Sequence, residues 1–227
     1  MTQPTPISRV SLRGVDADLP SLTLDDDDAD AIVAVGQDAV ERAALGDDGL
    51  PILAVDAQDG RNGATRDRLD AAAAALADGA YRSITHPVLG VDVNGDRVGR
   101  AVFDATLMTS EPARISEYAL SVEDEPLFDV RADGVVVSTP LGSAGYGRAA
   151  GGPVVTPGGG LSVVPVAPFS TRVSPWVVPG PLTLSVERDE GDVSLFVDGD
   201  ERRRVGPDDP VDIAVISEFT CLRPLVE

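Results

Sequence analysis

The spacing of apolar and polar positions changes character near residue 80. Before it, Ile32 to Val35 form an unbroken apolar run ending at Gly36, and Ala39, Val40, Ala43, Ala44 and Leu45 then recur as one side of a helix would. The run predicts a strand buried on both faces; the recurrence predicts a helix packed against it, with a tight turn at Gly36 between them. A second apolar run, PILAVDA at 51–57, predicts another strand. Residues 65–77, with alanines at 71–75 and a stop at Gly79, predict a second helix. Residues 1–80 thus read as a small α/β domain.

Beyond residue 80 the period shortens. The runs YRSITHPVLGVDV, DRVGRAVFDATLM, ISEYALSV, GVVVSTP, LSVVPV, LTLSV, VSLFVDG and VDIAVI are strand-like. They are punctuated by Asn94-Gly95, Asp133-Gly134, Gly158 to Gly160 and Asp198-Gly199. Asn-Gly and Asp-Gly favour primed hairpin turns, so residues 81–227 read as a mostly antiparallel, sandwich-like β domain. The fold class is α/β followed by all-β.

Composition alters this picture in one respect. Thirty-eight acidic residues against eighteen basic ones give a net charge of −20, and every basic residue is arginine. Such a chain repels nucleic acid, whose phosphates need a basic face. The charge suits a salt-adapted protein working at molar ionic strength, where screening acts within a few ångströms. Asp25 to Asp28 then form a solvated acidic run, since four consecutive side chains do not converge on one ion. The single cysteine, Cys221, excludes an internal disulfide. With no long apolar span and no apolar signal core, the chain is expected to be cytoplasmic, with no membrane partner. His86, the only histidine, is expected to be a partly buried side chain rather than a general base, and Trp176 to lie in the core.

The densest chemical signal is ADGVVVSTPLGSAGYGRAAGGP at 132–153. A buried strand, Val135 to Val137, runs into a loop with Gly142, Gly145, Gly147, Gly151 and Gly152. Glycines there are expected to adopt positive φ and bring main-chain N–H groups to a ligand, with Ser138, Thr139 and Ser143 offering hydroxyls. Tyr146 offers a ring for a base to stack on. This block resembles the DG-x-x-x-STP-x-GS-x-x-Y…GGP signature of the NAD kinase family.

That resemblance implies further site residues. The family's GGDG loop has its counterpart in Gly36-Gln37-Asp38-Ala39, where only Gly36 and Asp38 match. Asp38 would orient or deprotonate the ribose 2′-hydroxyl, or else cap the helix that follows; Gln37 and Ala39 would strain the loop. The family's Asn-Glu pair resembles Ser110-Glu111, with Glu111 accepting from a ribose diol or a carboxamide, or else standing as an acid on a hydrated strand end. Asp133 would meet a carboxamide. Ala144 stands where most members carry a hydroxyl, beside Gly142, Ser143, Gly145 and Tyr146. PVAPFSTRVSPWVVP at 165–179 resembles another family stretch, with Phe169 in place of a histidine, and FVDGDERRRV resembles its DGQ hairpin through Asp198 and Gly199.

The activity implied is phosphoryl transfer from ATP or polyphosphate to the 2′-hydroxyl of NAD, with Mg²⁺ carried by the donor phosphates. NAD and ATP would be the partners of a dimer or tetramer. The first domain is expected to be truncated relative to the family. Because the GGDG-like and Asn-Glu-like segments are degenerate, a catalytically impaired homologue that binds nucleotide as a sensor stays open beside the enzyme. A lipid or sugar kinase of the same broad class is the remaining alternative.

Overall fold

The computed structural model describes residues 4–226 except 59, 112, 113, 171, 172 and 190. Its chain order begins β1 (Arg9–Arg13), β2 (Thr23–Leu24), β3 (Ala31–Val35), α1 (Gln37–Leu45), β4 (Ile52–Val55) and α2 (Leu69–Ala77). The long β5 (Tyr81–Val93) leads to β6 (Asp96–Ala101), β7 (Asp104–Thr109), β8 (Ser116–Val122), β9 (Glu125–Ala132) and β10 (Gly134–Ser138). After the short α3 (Tyr146–Ala149) come β11 (Leu161–Val166), β12 (Trp176–Val178), β13 (Leu182–Arg188), β14 (Val193–Val197), β15 (Asp200–Val205) and β16 (Val211–Pro224). The chain forms two compact units, one of residues 1–86 and 218–227, the other of residues 87–217.

The first unit is a parallel sheet flanked by helices. β2, β1, β3, β4 and the end of β16 lie side by side, all parallel. All five side chains of β3 and all four of β4 are buried, as expected of strands covered on both faces. Leu69, Ala72, Ala73 and Leu76 of α2 pack into the core with Val33, Leu53 and Leu222. The sequence division at residue 80 assigned the last strand wholly to the second domain; here Cys221 pairs with Ile52 and Leu222 joins the first core, so Glu218–Glu227 belong to the first unit. β1 and β2 were not legible either.

The second unit is a sandwich. One layer runs β12-β11-β10-β7-β14-β15, antiparallel in each pairing. The other contains β13, β8, β9 and the first part of β16. Alternate residues point into the core between them: Ala105 and Leu107, Val135 and Val137, Leu161 and Val163 from one layer meet Tyr118, Leu120, Leu184 and Ile213 from the other. Because side chains alternate, Asp104, Thr106, Val136, Ser138, Ser162 and Val164 fall on the opposite face of their sheet.

The Asn94-Gly95 and Asp198-Gly199 turns join β5 to β6 and β14 to β15, each with positive φ at both residues. Asp133-Gly134 is no hairpin turn. There the chain passes from β9 in one layer to β10 in the other, and Gly134 pairs with Met108 and Val166 inside the sheet. Trp176 is not core: it lies on the edge strand β12, 41% exposed. His86 is fully buried and stacks on Phe219, ring centroids 5.8 Å apart.

Candidate functional site

The loop after β10 is built as a self-contained clamp. Thr139 Oγ1 donates to the Val102 carbonyl at 2.7 Å and accepts from the Gly142 N–H at 3.1 Å. Ser143 Oγ donates to the Pro140 carbonyl at 3.0 Å and accepts from the Val155 N–H at 2.9 Å. Both side chains are fully buried. Both hydroxyls expected from sequence to face a ligand are here engaged by main-chain partners and shape the loop. The main-chain N–H groups of Gly142, Ser143 and Gly145 are likewise engaged inside the loop. They do not form the N–H cradle that was expected.

The glycines are also required for a different reason. Gly142, Gly145 and Gly147 have no positive φ; among the loop glycines quoted above only Gly151 does, at 97°. At Gly142 a Cβ would run into the Phe103 carbonyl oxygen, and at Gly147 it would lie 2.7 Å from Ser138 Oγ. Close packing excludes a side chain at both. The loop thereby folds back over the sheet face that carries Ser138 and Ser162, facing residues of β10 and β11 whose buried hydroxyls have no partner among the described residues.

Tyr146 emerges from this loop 43% exposed, beside two acids. Burial, then the charges of Asp104 and Asp133, raise its phenol pKa above the ordinary value. Asp133 is half-buried between β9 and β10, and its carbonyl accepts from the Thr109 N–H at 2.8 Å and the Tyr118 hydroxyl at 3.3 Å. Asp104 begins β7 directly opposite Ser138. Burial and the nearby carboxylate of Asp198 push its pKa up to about 6.

Asp104 was missed because DRVGRAVFDATLM reads as one strand. The chain breaks at Val102-Phe103, between β6 and β7, and the one signal of it was an acid inside an apolar run. Ser110-Glu111, chosen from sequence as the Asn-Glu counterpart, stands at the other end of β7, about 20 Å away at strand rise. There Ser110 Oγ bonds Ser194 Oγ at 3.0 Å and Glu111 pairs with Arg114 at 3.6 Å. The acid adjoining the Ser138-Thr139 segment is Asp104, so Ser110 and Glu111 do not join it.

In the first unit, Gly36 carries φ 90° between β3 and α1, and its N–H donates to the Val55 carbonyl at 2.8 Å. It is also the N-cap residue, and no side chain caps α1, so Asp38 is not a cap. Asp38 projects exposed from the first helical turn. Gln37 and Ala39 are helical with ordinary φ, and the strain expected of them is absent.

Comparison with known proteins decides what this assembly belongs to. Residues 104–220 match the family model described as the ATP-NAD kinase C-terminal domain. An NAD kinase of Thermoplasma volcanium is 30% identical over 213 residues, 91% of this chain and 76% of the relative. The chain belongs to the NAD kinase family. The Thermoplasma acidophilum NAD kinase is 31% identical over 82% of this chain and 70% of the relative. A Methanosarcina acetivorans NAD kinase is 37% identical over 124 residues; the match spans 53% of this chain and 45% of that relative, less than half its length.

Two solved structures share the fold. A yeast NADH kinase complexed with NADH superposes with a TM-score of 0.70 at 18% identity, covering 89% of this chain and 66% of that one. An Archaeoglobus fulgidus NAD kinase in complex with ATP gives 0.67 at 21% identity, covering 96% and 93%. The mixed fold expected from sequence, α/β then β-rich, is that of the NAD kinases.

Proposed function

We propose that this protein transfers a phosphoryl group from ATP, or a polyphosphate, to the 2′-hydroxyl of the adenosine ribose of NAD, forming NADP. The observation that carries the reading is the family match that begins at Asp104 and runs through the glycine loop and the Asp198 hairpin. Asp104 and Asp133 flank Tyr146, an arrangement suited to a dinucleotide: carboxylates accept from ribose hydroxyls or an amide, and an exposed ring stacks on a base. Asp38, exposed in the first turn of α1, takes the role of general base toward the 2′-hydroxyl. The transfer itself demands alignment and charge neutralisation more than covalent chemistry from the protein.

Mg²⁺ enters with the donor, neutralising its phosphates. The protein works in the cytoplasm as a dimer or tetramer.

Calorimetric titration with NAD, in molar KCl, paired with the Asp38→Asn variant tests these roles. NAD binding retained in Asp38→Asn with turnover reduced at least about a hundredfold is expected of a lost general base. Unchanged turnover in that variant would remove Asp38 from the chemistry. Binding without any turnover in the unaltered protein would favour the nucleotide-sensing homologue.

A further inference from the structure

The short segment Val102 to Asp104, which carries the acid opposite Ser138, is gripped from two directions. On one side the Asp198 carboxylate accepts three main-chain N–H bonds: Oδ2 from Val102 at 2.7 Å, Oδ1 from Phe103 at 2.8 Å and from Asp104 at 2.9 Å. The Asp198 N–H returns a bond to the Asp104 carbonyl at 2.9 Å. On the other side Thr139 takes the carbonyls, its N–H bonding Phe103 at 2.8 Å and its hydroxyl Val102 at 2.7 Å. Asp198 reaches this position because the β14–β15 turn holds it at φ 50°.

We propose that Asp198 is a positioning residue for nucleotide binding: its carboxylate, anchored on three successive N–H groups, fixes the Asp104 carboxylate beside Ser138 and presents a negative charge to it. The proposal rests on the reading that Asp104 meets the dinucleotide. Burial raises the Asp198 pKa, and the three N–H bonds, which favour the ionised carboxylate, oppose that rise. Asp104 then shares a half-buried space with the Asp198 carboxylate, whose negative charge raises the Asp104 pKa. The other groups facing the pair are Thr106, whose hydroxyl lies 3.3 Å from Asp104, Tyr146 from α3 with Asp133 beyond it, and Arg202 near Asp198. Ionisation of Asp104 is thereby held back until pH approaches neutrality, and with it the capacity to accept from two ribose hydroxyls at once.

The experiment is the pH dependence of NAD affinity, by calorimetry in molar KCl, for the unaltered protein and for Asp198→Asn and Asp104→Asn. Affinity in the unaltered protein should rise with pH to a plateau, with a midpoint near the Asp104 pKa of about 6. Asp198→Asn removes the opposing charge, and its midpoint should fall by roughly one pH unit while plateau affinity drops about tenfold from loss of alignment. Asp104→Asn should abolish the pH step. An NAD-binding Asp198→Asn protein with an unmoved midpoint would overturn the proposal, leaving Asp198 a purely structural turn residue. Failure of the unaltered protein to bind NAD would instead overturn the functional reading. Should Asp198→Asn not fold, hydrogen exchange in the native protein decides: the amides of Val102, Phe103 and Asp104 must be strongly protected, and rapid exchange there contradicts the anchor.

Discussion

Ser138 Oγ occupies the volume that a side chain at Gly147 would need, 2.7 Å from where its Cβ would stand. The loop therefore lies flat on β10 only while position 147 is glycine. Gly147→Ala is expected to destabilise the protein by about 1–3 kcal/mol through overpacking, and Gly142→Ala, opposed by the rigid Phe103 carbonyl, by at least as much. Gly151→Ala meets nothing within 4 Å and should cost only about 1 kcal/mol, from its φ of 97°. Urea denaturation of the three variants checks the order; equal losses would show that close packing does not set positions 142 and 147 apart from 151.

The Thr139 hydroxyl both donates and accepts inside the protein, so its removal strands two buried main-chain groups. Thr139→Val should cost about 2–3 kcal/mol, and Thr139→Ser much less, because the hydroxyl bonds to Val102 and Gly142 survive. Thermal melts of both variants test this. A loss for Ser as large as that for Val would show that the methyl group contributes as much as the two hydrogen bonds.

His86 and Asp104 oppose each other in the acid range. Burial lowers the His86 pKa to about 4, so the unfolded chain, titrating near 6.5, binds the extra proton first as pH falls. His86 therefore contributes stability that is whole above pH 6.5 and is lost down to about pH 4, up to about 3 kcal/mol. Asp104, raised from 3.8 to about 6 by burial and Asp198, acts in the other sense: stability is lost as pH rises through that window. The two slopes partly cancel between pH 4 and 6. His86→Leu should make stability fall as pH rises across this window, and Asp104→Asn should make it rise; urea midpoints measured at half-unit pH steps read both signs.

Much of the fold was legible because its signals are local. The unbroken runs of β3, β4 and β10 report burial on both faces, and Asn94-Gly95 and Asp198-Gly199 report the turns they make. β1, by contrast, is the five residues RVSLR, whose buried Ser11 is made tolerable by a bond to Asp26 at 2.7 Å, a partner fifteen residues away. No local pattern announces such a strand. The site was legible as a segment and not as a geometry. Thr139 and Ser143 look like ligand hydroxyls until their partners, Val102 and Val155, are brought against them by the sheet. Asp104 acquires meaning only from its register opposite Ser138.

With a net charge of −20 and no lysine, the folded chain carries strong self-repulsion at low ionic strength. Its melting temperature should rise between low salt and molar KCl as screening shortens to a few ångströms. A flat response over that range would show that the acidic surface is not a salt adaptation.

The most direct measurement is NADP formation by the purified protein, in molar KCl with Mg²⁺, from NAD and either ATP or polyphosphate. Stoichiometric NADP and ADP from NAD and ATP, or NADP with shortened polyphosphate, is the predicted result. NAD that binds yet yields no NADP with either donor would contradict the proposed phosphoryl transfer.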